Sequence, residues 1–186
     1  CNTPMEKIPP GIDVQYFSKL KTNKLHNPLR ILSVGRLTWV KGFEYGINAV
    51  KSLKEKGIQF EYRIVGEGNY REAIIYAINQ LKLTDNVKLT GLLFKEEVKR
   101  EMEWADIYLQ PSIQEGFCNA ALEAQAMGLL CVVTDADGLK ENILNEETGW
   151  IVQKRSSEKI FEKILDILSF SIEKQNHIKK NAVKRV

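Results

Sequence analysis

Two cations and two acids in this sequence have the types and spacing to do chemistry. Arg36 and Lys41 follow the apolar run Leu29–Val34, and Lys41-Gly42 stands just before an amphipathic stretch that opens at Phe43. The free N–H groups at a helix start favour an anion, and cations there are unfavourable unless an anion joins them. The pair reads as a seat for a phosphate group, against the plainer alternative of two solvated surface charges. Glu115 precedes a stretch of small apolar residues, 120–127, with Asn119 as its expected N-cap, and Glu123 falls inside it. A carboxylate in a closely packed helix costs several kcal/mol unless it is partnered. Carboxylates accept hydrogen bonds from polyols well, so the two acids suit the hydroxyls of a sugar and a ribose. The bland reading is that Glu123 only favours the helix N-terminus.

Other signals are weaker. Gly66-Glu67-Gly68 follows an apolar run, but the third glycine of a dinucleotide fingerprint would fall at Arg71, and no P-loop pattern occurs. The glycines still permit close approach of backbone to a ligand. Asp135-Ala136-Asp137 spells a DxD, which elsewhere holds a divalent metal; after a strand, a polar turn with local capping is the better reading. His26 and His177 have no metal-ligand or triad partner at useful spacing. Trp39, Trp104 and Trp150 are scattered, so no stacking platform for bases is implied.

These residues need a frame, and the hydrophobic pattern supplies one. Short apolar runs at Leu29–Val34, Phe60–Val65, 87–89, Ile107–Gln110, 131–134 and Trp150–Val152 read as strands. Phe43, Ile47, Val50 and Leu53 repeat at helical spacing, as do Ile74, Ala77 and Leu81, and Phe161, Ile164, Leu165 and Leu168. This alternation predicts an α/β fold, a doubly wound Rossmann-like parallel sheet with helices on both faces. Residues 1–28, with four of the five prolines, read as a linker segment. Residues 29–186 read as the domain, with 158–186 as a helical tail. Gly35-Arg36, Gly66-Glu67-Gly68, Gly91, Pro111-Ser112 and 135–138 each follow a strand. In open α/β sheets ligands bind beyond the carboxyl ends of the strands, so these positions point to one shared crevice.

Length and composition narrow the class. At 186 residues the chain fits one domain, and a net charge of +3 argues for neither nucleic acid nor an anionic membrane surface. Three cysteines without a CxxC pairing are not a disulfide scaffold; Cys131 reads as a small buried hydrophobe, and a reducing compartment is expected. No stretch approaches a membrane span of about 20 residues, and none reads as a signal peptide. The opening Cys1-Asn2-Thr3-Pro4 reads as an internal start.

With these residues in view, the chain resembles the C-terminal domain of family 4 retaining glycosyltransferases, which have the GT-B architecture of two facing Rossmann-like domains. The resemblance runs over residues 8–152. It rests on Ile8-Pro9-Pro10-Gly11-Ile12-Asp13, Ser33-Val34-Gly35-Arg36-Leu37 with Lys41-Gly42, Val65-Gly66-Glu67-Gly68 and Leu89-Thr90-Gly91. It continues through Pro111-Ser112, Glu115-Gly116-Phe117 and Glu123-Ala124, then Thr134-Asp135, Glu141 and Gly149-Trp150-Ile151-Val152. The resemblance implies that Arg36 and Lys41 grip the diphosphate of a nucleotide sugar and stabilise charge as it leaves, with no metal or cofactor required. It implies that Glu115, with the backbone of Gly116, Phe117, Cys118 and Asn119, holds the donor sugar. Glu123 would hold the ribose, while Gly35, Gly66, Gly68 and Gly91 line the nucleotide pocket. The acceptor would belong to a separate N-terminal domain, the protein would be cytoplasmic or peripheral on the inner membrane face, and any membrane contact would lie in that other half. Pro10, Leu130 and Asp137 depart from the family pattern, and Asp137 is left out of the site because a turn of positive φ there would suit Gly better. Rival readings are a non-catalytic nucleotide-sugar-binding module and a sugar-nucleotide epimerase of the same architecture.

Overall fold

Continuous apolar runs suit strands buried on both faces, and six of them pair here into one parallel sheet. The computed structural model describes residues 11–18, 20 and 24–186. The strands are β1 (Leu29–Val34), β2 (Phe60–Val65), β3 (Val87–Gly91), β4 (Ile107–Gln110), β5 (Leu130–Thr134) and β6 (Trp150–Val152). Their order is β3-β2-β1-β4-β5-β6. β1 and β2 pair in register from Leu29 opposite Phe60 to Val34 opposite Val65. Every residue of β4 and β5 is buried, as expected of central strands covered from both sides.

One face carries α1 (Phe43–Glu55), α2 (Arg71–Gln80) and α6 (Ser157–Ser169), packed through Phe43, Ile47, Leu53, Ile74, Ile160 and Ile164. The other carries α3 (Lys95–Trp104), α4 (Asn119–Ala126) and α5 (Asp137–Asn142), packed through Met102, Ala121, Ala124 and Leu139. The doubly wound α/β expectation is met.

The tail is helical as expected, and it is two helices, α6 and α7 (Ile172–Arg185), because Ser156 and Ser171 each accept the backbone N–H three residues on and start a separate helix. Two local expectations are corrected. Cys118 is the N-cap of α4, and Asn119 is its exposed first residue with no capping role. Asp137 does not occupy a left-handed turn: it opens α5, its side chain 94% exposed. α3 went unseen because its ten residues bury only Met102, leaving almost no apolar stripe. A quieter signal was present, since the Glu97 side chain accepts the Phe94 N–H at 2.9 Å, half of a capping box.

Cys1 and Ile8-Pro9-Pro10 lie outside the described residues. Within 11–28, Phe17 is buried against the second helical layer. The His26 ring nitrogen Nδ1 lies 2.7 Å from Asp106, whose other oxygen accepts the N–H groups of His26 and Arg30. His26 therefore has a partner, 80 positions away, where local spacing showed none.

Candidate functional site at the sheet switch point

Because all six strands run parallel, their carboxyl ends share one edge. Between β1 and β4 the connections diverge, β1 leading to α1 on one face and β4 to α4 on the other. Such a switch point opens a crevice. The loop after β1 is laced to the loop after β2: Gly35 N–H donates to Val65 O at 3.0 Å and Leu37 N–H to Glu67 O at 2.9 Å. A Cβ on Gly66 would land on the carbonyl oxygen of Gly35, so this glycine serves close packing of the two loops. Gly66 N–H in turn donates to Gly91 O at 2.8 Å.

A 3-10 turn, Trp39–Lys41, then brings the chain to the start of α1. Here the loop after β4 joins it, Ile113 N–H donating to Val40 O at 2.7 Å. This backbone link carries Lys41 and Glu115 into contact, Nζ to Oε2 2.6 Å, with the side chains 17% and 10% exposed. The stem of Lys41 lies along Gly35, where a Cβ would stand 3.5 Å from its Cε. Two further bonds hold the Glu115 loop. The Thr134 hydroxyl donates to Ser112 O, and Gly138 N–H donates to Glu115 O at 3.0 Å. A Cβ on Gly138 would land on the carbonyl of Gly116.

Arg36 is exposed, and its side chain makes no hydrogen bond or ion pair among the described residues. It lines an open cleft of about 490 Å³ with Thr38, Trp39, Lys41 and Asn69. Gly116 is exposed, Phe117 half-buried and Cys118 buried as they lead into α4. Glu123 is half-buried one turn further on. Burial raises its carboxyl above the ordinary range, with Lys95 pulling the other way, and no hydrogen bond or ion pair reaches it among the described residues. The structure thus joins Lys41 to Glu115 directly and sets Arg36 on the same cleft. Gly68 follows β2, Gly91 ends β3, and Glu123 lies on α4 with Lys95 as a charged neighbour; none of the three bonds to that pair among the described residues.

Sequence reasoning missed the polar chain behind Glu115. Tyr108 hydroxyl donates to Gln110 Oε1 at 2.6 Å, Gln110 Nε2 to Ser112 Oγ at 2.8 Å, and Ser112 Oγ to Glu115 Oε2 at 3.1 Å. The signal was available: Tyr108, Gln110 and Ser112 alternate on one face of a strand and its extension, and Gln110 is a polar residue in an otherwise apolar run. Asp135 behaves as a turn residue, accepting Lys154 N–H at 2.8 Å. Among the described residues no three His, Cys, Asp or Glu side chains gather as for a metal. A separate hollow of about 340 Å³ around His26, Leu29 and Phe170 lies at the amino end of β1, and none of the expected site residues lines it.

This arrangement can be set beside known proteins. Residues 16–185 match the family model of glycosyl transferases group 1. The chain belongs to that family. It is 41% identical over 147 residues to the amylovoran biosynthesis glycosyltransferase AmsK of Erwinia amylovora, covering 76% of this chain and 36% of that protein. It is 32% identical over 192 aligned positions to the putative colanic acid biosynthesis glycosyltransferase WcaL of Escherichia coli, covering 98% of this chain and 47% of that protein. The chain thus spans less than half the length of these curated relatives. Among solved structures, the C-terminal domain of a group 1 glycosyl transferase, LpcC of Francisella tularensis, superposes with a TM-score of 0.79 at 24% identity, covering 94% of this chain and 95% of that one. HepE of Anabaena, solved in complex with UDP-glucose, superposes with a TM-score of 0.78 at 22% identity, covering 86% and 44%. At these identities both establish the fold of this glycosyltransferase domain. No helix among its described residues is long and apolar enough to cross a membrane.

Proposed function

We propose that this domain is the donor-binding half of a family 4 retaining glycosyltransferase of GT-B architecture, seating a nucleoside diphosphate sugar at the switch-point crevice. The observation that carries the reading is Arg36, an exposed cation whose side chain has no partner among the described residues, on the same cleft as Lys41. In this reading the diphosphate lies across the two cations at the start of α1. As the bond from sugar to phosphate breaks, charge accumulates on the departing diphosphate, and the fixed cations oppose it without a metal. Glu115, with the backbone of Gly116 to Asn119, accepts from sugar hydroxyls, and Glu123 accepts from the ribose. That HepE, which shares the fold, was crystallised with UDP and with UDP-glucose supports a nucleoside diphosphate sugar as the class of ligand.

The acceptor is held by a second, N-terminal domain that closes the crevice from the other side. The span of less than half of AmsK and WcaL supports this division, and their names support a role in glycan assembly. The buried thiols of Cys118 and Cys131 suit a reducing, cytoplasmic setting.

A thermal-shift panel of UDP, GDP and ADP with their sugar forms tests the site. Ligand at 100 times its dissociation constant stabilises a fold by ~2.7 kcal/mol, and at least one diphosphate is expected to do so. An unchanged melting temperature with all of them at millimolar concentration removes the assignment. Proximity of acceptor to donor is worth ~7–11 kcal/mol of barrier, so the 186-residue chain is expected to bind donor without transferring sugar. Acceptor-dependent transfer by this chain at the rate of the longer enzyme would overturn the division. Retention is read from the anomeric configuration of that enzyme's product.

A further inference from the structure

Glu115 is held from two sides by unlike means. Lys41 approaches it from the crevice, whereas Ser112, Gln110 and Tyr108 approach it from inside the fold. Gln110 and Ser112 are fully buried, as is Tyr108, so each of their polar atoms needs a partner. Burial, with Cys118 and Glu115 nearby, pushes the Tyr108 hydroxyl well above its ordinary titration range, and it stays protonated as a donor. It gives that proton to Gln110 Oε1, which orients the amide so that Nε2 faces Ser112. Ser112, having accepted from Gln110, points its own proton at Glu115 Oε2. The Cys118 thiol, 3.8 Å from the Tyr108 oxygen and itself held protonated by burial, closes the far end as a donor. Every donor in the chain points the same way, toward the carboxylate.

We propose that Tyr108, Gln110 and Ser112 are positioning residues for Glu115, a one-directional hydrogen-bond relay that commits Oε2 to the protein and leaves Oε1, which makes no hydrogen bond among the described residues, to accept from the ligand. The proposal rests on the reading of Glu115 as a sugar-binding residue. The polarity matters because a glutamine has two orientations, and only the observed one presents a donor to Ser112. Losing the Tyr108 hydroxyl leaves Oε1 of Gln110 buried without its partner, and the amide can turn over. Ser112 would then face an acceptor, spend its proton on Gln110, and release Glu115. The relay is thus a remote setting for a side chain two to three bonds away in the network.

The test uses Tyr108→Phe and Gln110→Met, which keep shape and remove polarity, in the 186-residue chain. Carbon relaxation measures the order of the Glu115 side-chain methylene without any ligand. In both variants it is expected to fall toward the values of exposed glutamates, while melting temperature and amide spectra elsewhere show an intact fold. Calorimetry with UDP and UDP-glucose then separates diphosphate from sugar. UDP affinity is expected to hold, and the extra affinity contributed by glucose to drop by about tenfold, the loss of one charge-assisted hydrogen bond of ~1.4 kcal/mol. Gln110→Glu, which keeps the acceptor for Tyr108 but brings a second carboxylate toward Ser112, is expected to impair glucose binding as Gln110→Met does. Unchanged order at Glu115 in both variants overturns the relay, whatever the ligands do. If the unmodified chain binds neither UDP nor UDP-glucose while order at Glu115 still falls, the relay stands and the donor assignment fails.

Discussion

Lys41 and Glu115 are 74 positions apart in sequence and 2.6 Å apart in space, a largely buried ion pair across the switch point of the sheet. The pair ties the loop after β1 to the loop after β4, and Arg36 beside it has no side-chain partner among the described residues. The two cations therefore differ in what they do for the fold, although both face the proposed diphosphate.

Substitution separates them. Arg36→Ala is expected to leave stability within about 0.5 kcal/mol, as for an exposed side chain, while weakening diphosphate binding by ~1.5–3 kcal/mol. Lys41→Ala weakens binding similarly but also costs ~1–3 kcal/mol of stability, because among the described residues Glu115 then keeps only Ser112 as a side-chain partner. Urea unfolding and calorimetry on both variants read the two effects. Equal stability for both would contradict the ion pair's role in holding the loops.

Glu123 gives a pH dependence of definite sign. Its carboxyl is raised above the ordinary range mainly by burial. Between the ordinary carboxyl range and its raised native one, the native state therefore holds a proton that the unfolded chain has released, and stability present below the ordinary range is lost as pH rises through the native one. Glu123→Gln removes the cost of the buried charge. It is expected to raise the melting temperature at neutral pH, with the gain vanishing in acid where the native carboxyl is already protonated. It is also expected to weaken nucleoside and diphosphate binding alike, since ribose is common to both. A gain that persists unchanged in acid would show that burial of the charge is not its source.

Gly138 is a packing requirement that couples α5 to the sugar-side loop. In Gly138→Ala the new methyl meets the carbonyl of Gly116, and the Gly138 N–H bond to Glu115 O must lengthen. Overpacking of this kind costs ~1–3 kcal/mol, and the displaced Gly116 loop is expected to lose sugar affinity more than diphosphate affinity. Calorimetry with UDP and UDP-glucose decides between this and a general loss.

Chelation tests the part given to the cations. Nucleotide binding is expected to be the same with and without EDTA, and Asp137→Ala to leave it unchanged, since the Asp137 side chain is 94% exposed at the start of α5. Binding abolished by EDTA and restored by Mn²⁺ would overturn the metal-free reading.

Strands of parallel sheets are buried on both faces, so their apolar runs stand out in sequence with little help from context. β1, β2, β4 and β6 begin and end where those runs do, and the doubly wound class follows from their alternation with amphipathic stretches. The residues around the crevice were legible for a related reason. Ligand-facing positions in such a sheet fall just past strand ends, a place readable from the pattern itself. α3 was not legible, since a helix that buries Met102 and little else carries no stripe. The break between α6 and α7 depends on two serine caps whose value appears only once their N–H partners are placed. Partnership between distant segments was beyond the sequence. Lys41 with Glu115 and His26 with Asp106 are fixed by which strands lie side by side, whereas Tyr108, Gln110 and Ser112 share one strand and its extension, where their alternation was readable. Residue types and local periodicity encode what each segment buries. Which polar groups meet across the sheet is decided by strand order, because pairing β1 with β4 brings the loops after those strands within hydrogen-bonding distance.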